Sequence, residues 1–253
     1  MSRVVIPIPL SDFDPTETGV TWKMLTQAGV KVVFATPNAQ VGAGDPRMIT
    51  GEGLGPWSWF LKADRNGQRA YREMIESEEF RRPIAWEQIS VADFDGIVLP
   101  GGHAPRMKSY LESGILQNKV SEFFKSNKIV GAICHGVVLA ARSKDSAGKS
   151  VLTGRKATAL LQSQELTAWA LTCLWLKNYY RTYRETVQAE VARHLGSPKN
   201  FISGPTPLKR DSMKNLNAGF VVEDGNLISA RWPGDSHRFG HAVAQRLNES
   251  DAR

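Results

Sequence analysis

Cysteine is scarce in this chain: Cys134 and Cys173 are the two among 253 residues. Two thiols make no disulfide framework, and no Cys/His cluster has zinc-site spacing, so neither staples nor a metal are expected. Long apolar runs are missing as well. The longest candidate, Ala168 to Leu176, is about half the roughly 18–20 residues that cross a bilayer, and it contains Thr172. The N-terminus has no secretory pattern, since Ser2-Arg3 precedes a short apolar run interrupted by Pro7 and Pro9, with no small-residue cleavage site. These absences lead to the expectation of a cytoplasmic protein with no membrane partner.

The formal charge of +7 would suit nucleic acid if it were gathered into a basic stripe with exposed aromatics. It is not gathered: the mild excess between Lys177 and Lys214 is interrupted by Glu185, Glu190 and Asp211. A solvated basic face is expected, with no nucleic-acid partner, and such a surface would steer small anions. A hydrophobic content of 42% is enough for a substantial core.

The order of segments reads as α/β. Arg3 to Leu10 is an apolar β-branched run that its prolines end near Ile6 to Ile8. Asp14-Pro15-Thr16-Glu17 then opens a helix through Trp22 and Leu25, and Val30 to Pro37 is a second strand. From Asn38 to Ile89 glycines, prolines and Trp57, Trp59 and Phe60 form an irregular insertion suited to walling a pocket. The three aromatics either line that pocket or anchor the insertion. Strand Ile97-Val98-Leu99 ends in Pro100-Gly101-Gly102-His103, and helix Ser109 to Ser126 follows. Later, Val151 to Gly154 and Lys156 to Ala159 read as short extended pieces. Glu165 to His194 reads as helix with a break near Asn178, and Gly219 to Arg231 as a hairpin before a last helix.

The stretch Ile129 to Ala141 organises the chain. It reads as a buried strand, a turn of small residues around Cys134, and the first turns of an Ala/Val/Leu-rich helix. Ala132 and Gly136 would let the chain turn sharply enough to project the thiol. At a helix N-terminus the thiolate would be favoured, with His135 beside it to hold a proton. The plainer alternative is a small buried hydrophobe. Glu17 is either the third position of a capping box or a carboxyl facing the crevice beyond the first strand. The N–H groups at Gly101-Gly102 suit an oxyanion, and His103 is either a pocket residue or a turn histidine.

Taken together, Glu17, Leu99 to His103, the Ala132-Ile133-Cys134-His135-Gly136 elbow and the Val222 to Asn226 hairpin resemble the ThiJ/PfpI superfamily of class I glutamine amidotransferase-like proteins. The likeness is nearest to its glyoxalase III and heat-shock chaperone branch. It implies a flavodoxin-like doubly wound, mostly parallel sheet sandwiched by helices, in a single domain, 1–253, with insertions at about 38–89 and 168–207. It implies Cys134 as nucleophile, Glu17 hydrogen-bonded to it, His135 as its base, and an oxyanion hole from Gly102 and His135. Where that branch completes a triad with an acid, this chain has Leu161-Gln162-Ser163-Gln164. Glu165 or Asp235 would have to reach His135, or there is no triad. His103, Trp57 and Trp59 are pocket candidates. The activity implied is a cofactor-free cysteine enzyme acting on a small reactive carbonyl. An amidase or peptidase, or a redox-sensing or chaperone stress protein, are the alternatives, and a homodimer is expected.

Overall fold

In the computed structural model, which describes residues 1–251, seven strands form one central sheet. They are β1 (Arg3–Pro7), β2 (Lys31–Thr36), β3 (Ile84–Ala85), β4 (Gly96–Leu99), β5 (Ile129–Ile133), β6 (Val221–Asp224) and β7 (Leu227–Ala230), in the spatial order β3-β2-β1-β4-β5-β7-β6. All neighbours run parallel except β6, which returns antiparallel on β7 with Val222 opposite Ser229. Such a sheet needs cover on both faces, and the fully buried run of β5 shows that it has it.

Helices supply the cover. On one face α1 (Pro15–Gln27) packs against α2 (Arg65–Glu76) and against the last helix, α7 (Ser236–Asp251). On the other, α3 (Gly114–Lys125), α4 (Gly136–Arg142) and α6 (Val187–His194) pack together. The strand order turns back beside β1 and β4, so the crevice beyond their C-terminal ends is where a sheet of this kind admits a ligand. The flavodoxin-like, doubly wound architecture expected from the sequence is what is found.

Three local readings need correction. The 38–89 stretch is not wholly inserted. It contributes β3 to the sheet edge, and Ala43–Gly44 pairs with Ser11–Phe13 in a separate two-stranded sheet. Val151 to Ala159 holds turns and a single bridge, Ala157 to Phe201, in place of two extended pieces. The break near Asn178 is wider than the periodicity implied: α5 (Gln162–Leu176) stops, Lys177 takes φ of +53°, and helix resumes only at Val187. Aromatic spacing carried the helical pattern across residues 177–186. Tyr180, Thr182 and Thr186 of that segment are buried while Lys177, Asn178, Arg184 and Glu185 stay exposed, and the non-helical segment brings Tyr180 to the crevice. A satellite apolar cluster joins the two variable regions there: Met48, Leu54 and Leu61 from the first pack with Trp169, Tyr179 and Tyr180 from the second.

Candidate active site

Strand β5 delivers Cys134 to the corner, and the backbone turns there with φ of +57°, a left-handed conformation that a residue with a Cβ adopts only under constraint. The constraint is visible on both sides. The Cys134 N–H donates to the Ala230 carbonyl at 3.1 Å, and the next turn is clamped against β4, where a Cβ on Gly136 would lie 2.0 Å from the Leu99 carbonyl oxygen. Only glycine lets α4 start so close to the sheet. The sulfur is thereby held at the mouth of the crevice, 5% exposed.

Glu17 comes from the first turn of α1, which Asp14 caps through its side chain, accepting from the Thr16 and Glu17 N–H groups at 2.8 and 2.9 Å. Capping and crevice-facing roles are thus divided between two residues. Glu17 itself is buried and accepts from the Gly101 N–H at 2.8 Å through Oε2, while Oε1 has no protein partner by hydrogen-bond geometry. Gly101 sits so tightly among these groups that a Cβ on it would stand 2.7 Å from the His135 nitrogen and 3.0 Å from the Cys134 Cβ. Gly102, with φ of +149°, lines the crevice, and its N–H donates to no backbone acceptor among the described residues.

His135 is buried against Cys134, with Nδ1 3.5 Å from Sγ. Its other nitrogen, Nε2, lies 3.2 Å from Thr182 Oγ1, and the Thr182 hydroxyl in turn donates to the His103 carbonyl at 2.7 Å. A hydroxyl has one proton, so with that proton on the carbonyl Thr182 can only accept from the imidazole. The chain of bonds therefore places the ring hydrogen on Nε2 and leaves the Nδ1 lone pair toward the sulfur.

Neither acid considered from the sequence contacts His135. Glu165 accepts from the Val187 N–H at 2.9 Å and pairs with Arg181 at 3.2 Å. Asp235 pairs with the fully buried Arg231 through both carboxylate oxygens, at 2.8 and 2.9 Å, and accepts from the Phe220 N–H. Among the alternatives for the third position, the geometry is that of no triad acid, with Thr182 behind the histidine.

Electrostatics follow burial. Burial, then the nearby Asp14, hold the Glu17 carboxyl well above the ordinary range. Burial also pushes the Cys134 thiol up, with Glu17 and Asp14 adding to it, which outweighs the His135 N–H that would lower it. His135 is depressed to about 3 by burial and by His103 and Arg142. A thiolate at rest, expected from the helix N-terminus, is thus overridden: α4 is short and the sulfur is enclosed among acids. These directions favour a protonated Glu17, a thiol and an uncharged imidazole.

The cavity in front of Cys134 has a volume of about 360 Å³. His103 lines it, stacked on Tyr180 with centroids 4.3 Å apart and edge-on to Tyr179. Trp57 and Trp59 do not line it. Trp59 is 76% exposed and packs on Phe60, which is the aromatic of that segment that reaches the cavity. Tyr180, Thr182, Arg210 and Asp14 are site residues that the sequence reading did not single out for this role. The first two lie in the misread helical stretch, and Arg210 carried no signal beyond its charge. Among the described residues no three His, Cys, Asp or Glu side chains converge as metal ligands, and no helix is long and apolar enough to cross a membrane.

The sequence model of a family described as ThiJ/PfpI family-like matches residues 8–205. A deglycase of Thermococcus kodakarensis is 28% identical over 156 residues, covering 60% of this chain and 61% of that protein. A glutathione-independent glyoxalase of Schizosaccharomyces pombe is 27% identical over 146 residues, 56% of this chain and 52% of that one. The matched region thus spans little more than half the length of these relatives. Among solved structures, glyoxalase III from Candida albicans superposes with a TM-score of 0.69 at 16% identity, over 98% of this chain and 97% of the other. At that identity the likeness is one of fold.

Proposed function

Because the chain belongs to the ThiJ/PfpI-like family, we propose that it is a cofactor-free cysteine enzyme that converts a small 2-oxoaldehyde to the corresponding 2-hydroxy acid. The observation that carries this reading is the lone pair of His135 Nδ1 held 3.5 Å from the Cys134 sulfur by the Thr182 relay. The relatives named glyoxalase and deglycase support the substrate class.

The neutral resting site suits addition to a carbonyl. As Sγ bonds to the aldehyde carbon, the thiol proton passes to His135 Nδ1 and the carbonyl electron pair moves onto oxygen. The Gly102 and His135 N–H groups would hold that oxyanion, and the protonated Glu17 is placed to neutralise it, giving a hemithioacetal. Glu17, now ionised, carries the C1 proton to C2, the C2 oxygen takes the proton held on His135, and the C1 hydroxyl returns its proton to Glu17, so the hemithioacetal becomes a 2-hydroxy thioester with no net oxidation. His135, neutral again, then takes a proton from water as the hydroxide adds to the thioester, and it passes that proton to the departing sulfur, which releases the acid and restores the thiol. An amidase would need to protonate an amine leaving group. Among the described residues no acid lies behind His135 to support that transfer, so the carbonyl reading is preferred over the hydrolase one.

The test is consumption of methylglyoxal with lactate as product. Cys134→Ala should abolish turnover, and Glu17→Gln should lower kcat/KM by about a thousandfold, in the range of a lost acid–base group. Undiminished turnover in Cys134→Ala removes the mechanism.

A further inference from the structure

Several buried polar atoms in this protein converge on one place. Glu17 Oε1, His103 Nε2, Gln164 Oε1, Tyr180 Oη, Arg210 Nη1 and Trp232 Nε1 each lack a protein partner, and all six residues line the cavity in front of Cys134. Buried donors and acceptors are normally paired, so such a cluster marks groups that a ligand would satisfy. Three of them, Glu17, His103 and Tyr180, lie around the reacting thiol and the histidine behind it. The others are not used by the chemistry described above.

Arg210 is, among the described residues, the one Lys or Arg that lines this cavity. Its guanidinium is held from behind: Nη2 donates to the Lys62 carbonyl at 3.2 Å, and the group lies over the Trp232 ring at 5.3 Å. Fixed in this way, Nη1 is left buried and unpartnered, and the Nε1–H of the indole that the guanidinium covers is unpartnered as well. Two unpartnered N–H donors on residues that line one cavity, one of them cationic, suit the two oxygens of an anion.

The cavity also has space to spare. At roughly 30 Å³ per water, 360 Å³ holds about twelve, several times what a three-carbon dicarbonyl fills. From these observations we propose that Arg210 and Trp232 form a carboxylate subsite, and that the preferred substrate is a 2-oxoaldehyde with a carboxylate at its far end. This deepens the carbonyl-enzyme reading and rests on it. A singly charged carboxylate is favoured over a phosphate dianion because Asp14, which interacts electrostatically with Arg210, lines the same cavity and disfavours a second negative charge.

The experiment compares two substrates of one length: 4,5-dioxopentanoate and 2-oxopentanal, in which a methyl replaces the carboxylate. The acid should be preferred in kcat/KM by about 10- to 100-fold, the range of a charge-assisted hydrogen bond. In Arg210→Gln that preference should fall to within about threefold of unity, and Arg210→Lys should retain part of it. Equal rates in the wild type, or an undiminished preference in Arg210→Gln, overturn the proposal. Calorimetric titration with levulinate, which carries the carboxylate but no aldehyde, reads the subsite without turnover. Binding should weaken about tenfold in Arg210→Gln and by a smaller factor in Trp232→Phe, which keeps the ring and loses the donor. Levulinate binding with no turnover of any 2-oxoaldehyde would sink the enzyme reading and leave the subsite standing. Absence of levulinate binding, or tighter binding of inorganic phosphate than of levulinate, sinks the carboxylate subsite.

Discussion

At Cys134 backbone strain and burial act on one atom. The left-handed φ costs of order 1–3 kcal/mol, and it is held in place by the Ala230 carbonyl and the clamp at Gly136. Beside the buried thiol lies the His135 Nδ1 lone pair, whose direction depends on Thr182, a residue with no local sequence signal. Thr182→Val keeps the shape and removes the acceptor for His135 Nε2–H. The imidazole then has no reason to keep its hydrogen there, and about a tenfold to hundredfold loss in kcat/KM is expected. A nitrogen-15 spectrum of His135 showing the Nε2–H tautomer in the wild type and a mixture in the variant would separate this from a merely structural effect. An unchanged tautomer and rate would show that Thr182 does not orient the ring. The residues that the sequence reading named and the structure brings together at the crevice, Cys134, His135, Glu17, Gly102 and His103, are close to strand ends. The acids weighed as a third member, Glu165 and Asp235, are each engaged with an arginine, a pairing that depends on distant segments.

At the scale of elements, the site is the meeting of three starts: the first turn of α1, the turn after β4 and the first turn of α4. All three lie at C-terminal strand ends of a parallel sheet, so fixing the strands fixes their proximity. The closest approach is at α4. A methyl at position 136 would occupy the space of the Leu99 carbonyl, 2.0 Å away, with backbone on both sides unable to yield. Gly136→Ala is therefore expected to cost about 3 kcal/mol of unfolding free energy, measured by urea titration, and to misplace the sulfur. A loss under about 1 kcal/mol would mean that α4 shifts freely. Hydrophobic periodicity found these elements because each buries a face in the core. It failed between α5 and α6, where Tyr179, Tyr180 and Tyr183 recur at helical spacing yet pack individually: two on His103, the third beneath Arg142. A period records burial and is silent about which partner does the burying.

For the whole molecule, the crevice concentrates carboxyls that prefer their protons. Burial raises Asp14 to about 6 and Glu165 to about 7. A folded-state pKa above the unfolded one means that the native protein binds the proton more tightly, so stability falls as pH rises through the interval between them. For Glu165 that interval runs from the ordinary value of 4.5 to about 7. Depressed His103 and His135 act in the opposite sense, gaining stability as pH rises, which is why the contribution is read as a difference. The stability of the wild type relative to Glu165→Gln should decline between pH 4.5 and 7 and be flat above about 8. A difference that rises over that window would mean that the Arg181 pair, and not burial, governs this carboxyl.

The sequence by itself determined the α/β class, the strand that carries Cys134 and the small residues around it, since these depend on short-range pattern and on what a tight corner tolerates. Only the tertiary structure decided the protonation of the thiol, the partner of His135, and which aromatics face the cavity. Those properties arise where segments far apart in the chain meet. Trp59 is 76% exposed while Phe60 reaches the cavity, because residues 46–62 pack against 168–180 there. Charge at Cys134 likewise follows from how much water the surrounding segments exclude, and no local pattern encodes that quantity.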